Sequence, residues 1–125
     1  LESTLSLAGL LHDFGKYSIK FQRFIHEEWR RAKEGIDSKR QSGIDHGVYG
    51  AKYIYDLSGK YGPNGRIVGE PLANVICYHH GGLSDAEDFN GDSPLLMRLQ
   101  DENRLTDYEQ VKVAFLRIYR LRNRR

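Results

Sequence analysis

Two pairs of adjacent metal-binding residue types follow apolar stretches, and they constrain the fold of this chain more than any other feature. His12 and Asp13 stand in LLHDFGK, and the pair His79-His80 stands in ICYHHGG. A third histidine, His46 in IDHGVYG, lies between them. Imidazole and carboxylate groups bind divalent transition metals, and a ligand has to be anchored beside a packed element. The sequence therefore predicts a fold that brings these three segments to one metal site between helices.

The spacing of the apolar residues predicts an all-α domain. These residues recur every three or four positions along most of the chain, and the period-two alternation typical of strands is scarce. Capping residues and prolines place helix starts at Thr4, at Ser18, near His46, just before Pro71, at Asp92 and at Thr106. Each predicted ligand then falls at a helix end or immediately beside one.

Length and composition are those of one soluble globular domain. The chain has 125 residues, 29% of them charged and 39% hydrophobic, and no apolar run approaches the roughly 20 residues of a membrane span. Cys77 is its single cysteine, which excludes an internal disulfide and fits a reducing compartment. We therefore expect a cytoplasmic protein with no membrane segment, in which Cys77 is a buried structural thiol.

The adjacent histidine and aspartate favour a site for two metal ions. Neighbouring residues on a regular helix diverge by about 100°, so both address one cleft only where the cleft is wide or the helix ends. Two ions roughly 3.5 to 4 Å apart would provide a wide cleft, and Asp13 is the natural bridging carboxylate. Histidine-rich ligation favours manganese, iron, nickel or cobalt, with magnesium left as an option.

Three longer strings carry a family resemblance. GLLHDFGKYSIKFQRFI, DHGVYGAKYI and YHHGGLSD resemble the HD nucleases of type I CRISPR interference, within the HD superfamily of metal-dependent phosphohydrolases. The resemblance implies an HD-domain helical bundle with a metal cleft between helices. It also implies metal-dependent cleavage of single-stranded DNA in antiviral defence. The implied partners are an RNA-guided CRISPR surveillance complex and a helicase domain, either fused or in trans.

The same resemblance assigns roles to individual residues. The positions that match the family's metal ligands are His12, Asp13, His46, His79 and His80. Among them, Asp13 matches the carboxylate that bridges both ions. Lys16 matches a lysine that would stabilise charge on the scissile phosphate, so Asp13 and Lys16 are the predicted catalytic residues. No site for another cofactor is predicted.

Two ligand positions of the family have no counterpart in these 125 residues. The family has one further histidine upstream of the His-Asp dyad and an aspartate far downstream of the histidine pair. Asp107 lies too soon after that pair, and in a capping context, to be this aspartate. We therefore expect residues 1–125 to form a single HD nuclease domain that lacks N- and C-terminal portions of the full domain.

Two alternative functions remain open at this point. One is an HD phosphohydrolase that acts on nucleotides or cyclic dinucleotides, which would need a closed pocket with basic residues near the dyad. The other is a degenerate HD domain that binds a partner without cutting. Substrate form separates the first alternative from a nuclease, and metal content separates the second.

Several further residues have both a functional and a structural interpretation. Phe21, Phe24 and Trp29 could stack exposed bases, but their helical spacing favours a place in the core. Asp45 and Asp85 could orient imidazoles, although loop carboxylates more often lie on the surface. The last part of the sequence contains the basic residues Lys112, Arg117, Arg120, Arg122, Arg124 and Arg125. They could bind a phosphate backbone, but the helix pattern favours a solvent-exposed helix face.

Overall fold

The computed structural model of the chain describes residues 2–36, 45–79, 87 and 90–122. The described residues form six α-helices and one short 3-10 helix, with no strand among them. The helices are α1 (Glu2–Leu11), α2 (Ile19–Lys33), α3 (Gly47–Gly59), α4 (Gly62–Tyr78), α5 (Pro94–Leu99) and α6 (Tyr108–Arg122), and the 3-10 helix spans Phe14–Tyr17. The predicted all-α helical bundle is confirmed.

The core is organised around α3. This helix packs along α4 and also contacts α5, α6 and the 3-10 helix. Phe14 of the 3-10 helix is completely buried, and its ring lies 5.4 Å from Tyr53 and 4.4 Å from Phe115. Burial of a side chain of this size contributes about 1.5 to 3 kcal/mol. Phe14 therefore anchors the residues that follow the His-Asp dyad against α3 and α6.

Three of the predicted helix starts need correction, those of α1, α4 and α5. The hydroxyl of Ser18 accepts a hydrogen bond from the backbone N–H of Phe21 at 3.2 Å, which confirms that Ser18 caps α2. Thr4 does not begin α1, because that helix already starts at Glu2. At α5 the cap is Ser93 rather than Asp92, and the Ser93 hydroxyl accepts from the N–H of Leu96 at 3.3 Å.

Helix α4 begins well before its predicted position. It starts at Gly62 with Pro63 in its first turn, so Pro71 lies inside the helix. A β-carbon on Gly65 would collide with the backbone of Ser58, and one on Gly69 would collide with the Ser58 side chain. Because glycine has no side chain, Gly65 and Gly69 allow close packing of α4 on α3.

The carboxylate of Asp107 connects three helices. Its Oδ1 accepts a hydrogen bond from the hydroxyl of Tyr49 in α3, and its Oδ2 accepts from the N–H of Ile19 in α2 at 3.2 Å. Burial, together with the bond to Asp107, raises the pKa of Tyr49. Asp107 precedes α6, so its carboxylate connects α2, α3 and α6.

Helix α2 does not join the core. None of its residues is buried, and none of its side chains belongs to the apolar cluster that fills the bundle. The prediction that Phe21, Phe24 and Trp29 are core residues is therefore wrong. The physical reason is that α2 contacts the bundle mainly at its start, through the 3-10 helix, and extends away from it.

Two further sequence predictions concern Cys77 and membrane insertion. Cys77 is buried, with 5% of its surface exposed, as predicted for a structural thiol. Among the described residues, none of the helices has both the length and the apolar character required to cross a membrane.

The structure describes only part of the basic segment near the end of the sequence. Arg117 and Arg120 are exposed on α6, whereas Arg124 and Arg125 lie outside the described residues.

Candidate metal centre

Two glycines bring three distant segments into backbone contact. A β-carbon on Gly15 would collide with the backbone of His46. A β-carbon on Gly47 would lie 2.8 Å from the carbonyl oxygen of Cys77, closer than real side chains come. Only glycine permits these approaches, because it has no side chain to displace the opposite backbone. The glycines of the HDFG and DHG strings therefore place the dyad, the start of α3 and the end of α4 side by side.

Three of the predicted ligands converge at this junction. Asp13 precedes the 3-10 helix, His46 precedes α3 and His79 follows α4. One carboxylate oxygen of Asp13 and one ring nitrogen from each histidine all lie within 4.8 Å of one another. His46 is 9% exposed, so this group is recessed on one side. We call Asp13, His46 and His79 the ligand trio.

His12 lies beside the trio. Its Nε2 is 3.2 Å from Oδ2 of Asp13, and its ring centroid is 5.4 Å from that of His79 at an interplanar angle of 87°. The rings of His46 and His79 are 5.5 Å apart. Asp13 is therefore surrounded by imidazoles, with His12 at the more exposed edge of the group. His80, as well as Asp85, lies outside the described residues.

Backbone carbonyls orient two of the imidazoles. Nδ1 of His12 lies 2.5 Å from the carbonyl oxygen of Gly9, and Nδ1 of His79 lies 2.7 Å from that of Ile76. A carbonyl oxygen can only accept, so in both rings Nδ1 carries a proton and donates. Metal-binding histidines are commonly held in this way, with the second ring nitrogen donating to a carbonyl or carboxylate. In each ring Nε2 is thus the nitrogen through which a metal would bind.

Lys16 and the imidazoles keep Asp13 ionised. Nζ of Lys16 lies 2.7 Å from Oδ1 of Asp13. Partial burial by itself would raise the pKa of Asp13, but the hydrogen bond from Lys16 and the nearby positive charges outweigh it and lower that pKa. The carboxylate is therefore available as a ligand well into the acidic range. The predicted catalytic lysine is in this structure the ion-pair partner of the predicted bridging aspartate.

Asp45 has partners other than an imidazole. Its Oδ2 lies 2.9 Å from Nη1 of Arg104 and 3.5 Å from Nη1 of Arg98. The guanidinium of Arg98 also lies over the ring of Tyr78, 4.6 Å from its centroid, and interacts with the Cys77 thiol. Arg98 thus contacts the residue before His46 and the two residues before His79. Sequence analysis missed Arg98, because a single arginine in a short helix carries no signal.

Phe21 covers one side of the histidine group. Its ring lies 5.6 Å from that of His46 at an interplanar angle of 61°. The start of α2 therefore lies against one side of the histidine group, while the rest of that helix extends beyond it. The sequence favoured the core for this side chain, and the structure places it against a predicted metal ligand.

One comparison with known proteins covers nearly the whole chain. The family model described as "Cas3, HD domain" matches residues 1–120 of the 125. No match was found among the curated proteins or among the solved structures. The matched range contains the dyad, the single histidine and the histidine pair, which are the segments that the fold brings together.

Proposed function

The chain belongs to the family of Cas3 HD domains, which are CRISPR-associated HD nucleases, and we propose that it is a single HD nuclease domain that cleaves single-stranded DNA with divalent metal ions. The observation that carries the proposal is the convergence of Asp13, His46 and His79 within 4.8 Å. Three segments that are far apart in sequence bring their ligand-type side chains together at this point. Packing of a structural core alone would not require a carboxylate and two imidazoles at one point.

The donor set fits a divalent transition metal. It combines one carboxylate oxygen with two imidazole nitrogens, and the Nδ1 bond of His79 to Ile76 leaves Nε2 as the nitrogen through which a metal would bind. Imidazole ligands suit manganese, iron, cobalt or nickel better than magnesium. A bound ion would supply Lewis-acid polarisation of a phosphoryl oxygen and would lower the pKa of a bound water. We propose that His80 would join His46 and His79 in holding one ion, that His12 would help to hold a second, and that Asp13 would contribute to both.

The chain's own residues prepare this chemistry in three ways. Asp13 remains a carboxylate because Lys16 lowers its pKa, so it can hold cations without first losing a proton. Lys16 is 40% exposed and can place its ammonium beside a phosphate that enters the cleft. Phe21 shields His46, which keeps water from one side of the group.

The burial of His46 on one side of the trio favours a single strand as substrate. Duplex DNA is stiff, with a persistence length of about 50 nm, so its backbone does not fold into a cleft beside a buried histidine. A single strand can bend its backbone down to the site. We propose that an RNA-guided CRISPR surveillance complex and a helicase domain, fused or in trans, deliver and unwind the target.

The proposal is tested by metal content and substrate choice measured on the same protein. We expect manganese or cobalt to bind and to support cleavage of single-stranded DNA but not of blunt duplex. A chelator should abolish metal binding and cleavage. Substituting His46 or His79 by alanine should remove metal binding and cleavage. His26→Ala is the matched control, because His26 is exposed on α2 outside the trio.

Two results would overturn it. Intact single strands together with rapid hydrolysis of a mononucleotide or cyclic dinucleotide would assign the site to small nucleotides. Failure of manganese, cobalt, nickel and iron to bind at all would instead indicate a non-catalytic interaction module. Both results are read from the unmodified protein, so they do not depend on how well a variant folds.

A further inference from the structure

Helix α2 presents an exposed row of apolar side chains. Phe21, Phe24, Ile25 and Trp29 are spaced by three and four residues and so share one face of the helix. Trp29 is 60% exposed and Ile25 is 46% exposed. The rings of Phe21 and Phe24 lie 6.3 Å apart. We call Phe21, Phe24 and Trp29 the aromatic row. Phe21 and Phe24 are partly buried, so the row becomes more exposed from its start toward Trp29.

The aromatic row begins at the candidate metal centre. Phe21, its first member, packs edge-on against His46 of the ligand trio, with 5.6 Å between ring centroids. Trp29 lies eight residues further, about 12 Å along the axis of an α-helix. The row therefore leads outward from the cleft along a rigid support, and any molecule that follows it reaches the ligand trio.

The charges around the row favour an anionic ligand. Nζ of Lys33 lies 3.9 Å from the centroid of the Trp29 ring, on one face of the indole. Arg30 pairs with Glu27 at 2.7 Å and with Glu34 at 2.9 Å, so its single positive charge offsets one of these two negative charges. The remaining exposed cations of the helix are Lys20, Arg23 and Lys33.

We propose that the aromatic row is a stacking track for the bases of single-stranded DNA as the strand enters the cleft. The inference rests on the proposed nuclease function and adds the surface that holds the substrate. Aromatic rings stack any base, while neighbouring cations attract the phosphates. A protein partner would also accept apolar side chains. Continuity with the metal centre, together with a lysine against the outermost ring, favours nucleic acid.

The experiment uses Trp29, the only tryptophan of the chain, as its own reporter. Metal-free protein in excess chelator is titrated with an oligothymidylate of about twelve nucleotides, a length within the usual site size. Stacking on Trp29 should quench tryptophan emission along the same curve as the anisotropy of a labelled oligonucleotide. Because no metal is present, binding is measured without cleavage.

Variants identify which rings hold the strand. Trp29→Ala and Phe24→Ala should each weaken binding about tenfold, and Trp29→Phe should keep most of the affinity. Tyr61→Ala is the matched control, because Tyr61 is an aromatic residue with 74% exposure that lies outside the row. Phe21 is left intact because it contacts His46. Circular dichroism of each variant confirms that an altered affinity is not an altered fold.

Charge provides a second test on the same face. Nζ of Lys33 lies 3.9 Å from the centroid of the Trp29 ring, so its ammonium would lie close to the backbone of a strand stacked on this ring. Lys33→Gln should weaken binding roughly two- to fivefold at low salt, and the loss should shrink as salt rises. Unchanged affinity would argue against a strand on this face.

The outcomes separate this inference from the proposed function. Quenching without any metal-dependent cleavage would support the track and remove the nuclease. Cleavage of single strands with no quenching at saturating oligonucleotide would retain the nuclease and overturn the track. A change of Trp29 emission that follows protein concentration alone, without DNA, would overturn it in favour of contact between two copies of the chain.

Discussion

Arg98 and Asp45 form an ion pair, 3.5 Å from Nη1 to Oδ2, that joins α5 to the residue immediately before His46. The same guanidinium lies over Tyr78, the residue immediately before His79. One side chain thus bridges the two segments that carry the histidines of the ligand trio. This arrangement suggests that Arg98 sets the separation of those histidines although it is not itself a ligand.

Replacement of Arg98 should therefore weaken metal binding more than it weakens the fold. We expect Arg98→Met to lower cobalt affinity several-fold and to alter the absorption spectrum of bound cobalt, while thermal unfolding shifts only slightly. Arg30→Met is the control, since Arg30 forms its ion pairs on α2 away from the trio. Equal effects of the two substitutions on cobalt binding would rule out a positioning role for Arg98.

Gly15→Ala should disrupt the contact on which the site depends. The added β-carbon would collide with the backbone of His46, and relief of such overpacking typically costs about 1 to 3 kcal/mol. Gly9→Ala is a matched control, because an added β-carbon at Gly9 in α1 would meet no other atom within 4 Å. This variant should gain up to about 1 kcal/mol in helix stability. Denaturant unfolding of both variants measures the difference. A neutral Gly15→Ala would contradict the close packing described for this junction.

Loss of the Asp107 carboxylate should loosen three helices at once. In Asp107→Ala the hydroxyl of Tyr49 and the N–H of Ile19 lose their acceptor, which we expect to cost about 1 to 3 kcal/mol. Tyr49→Phe removes only the donor and should cost less. A double-mutant cycle by denaturant unfolding tests whether the two residues interact, and strict additivity of their effects would show that they do not.

The ion pair between Lys16 and Asp13 predicts a specific pH dependence in metal-free protein. Because the folded pKa of Asp13 is lowered, its contribution to stability is present above the unfolded pKa of 3.8 and is lost as pH falls through the lower folded value. Lys16→Met should raise the pKa of Asp13. It should lower the free energy of unfolding by at most about 1 kcal/mol at neutral pH, since both side chains are about two-fifths exposed. The difference should disappear in strong acid. Carboxyl NMR of Asp13 measures the pKa directly, and an unchanged value in Lys16→Met would contradict this account.

The sequence by itself determined the helical class, the cap at Ser18 and the chemical identity of the ligand-type residues. These properties are local, because apolar periodicity and capping depend on residues within a turn or two of each other. The strings HDFGK and DHG also contained the glycines of the site. Their role became clear only when the backbone opposite each glycine was known.

The tertiary structure alone decided which surfaces meet. Periodicity indicates that one face of α2 is apolar, but only packing decides whether other helices cover it, and they leave Trp29 exposed. Likewise, Pro71 marks a helix start in isolation, yet close packing of Gly65 and Gly69 on α3 extends α4 back to Gly62. The distances within the ligand trio, as well as the contacts of Arg98, depend on segments far apart in the chain. Their approach depends on how the whole core packs, and a local pattern carries no information about it.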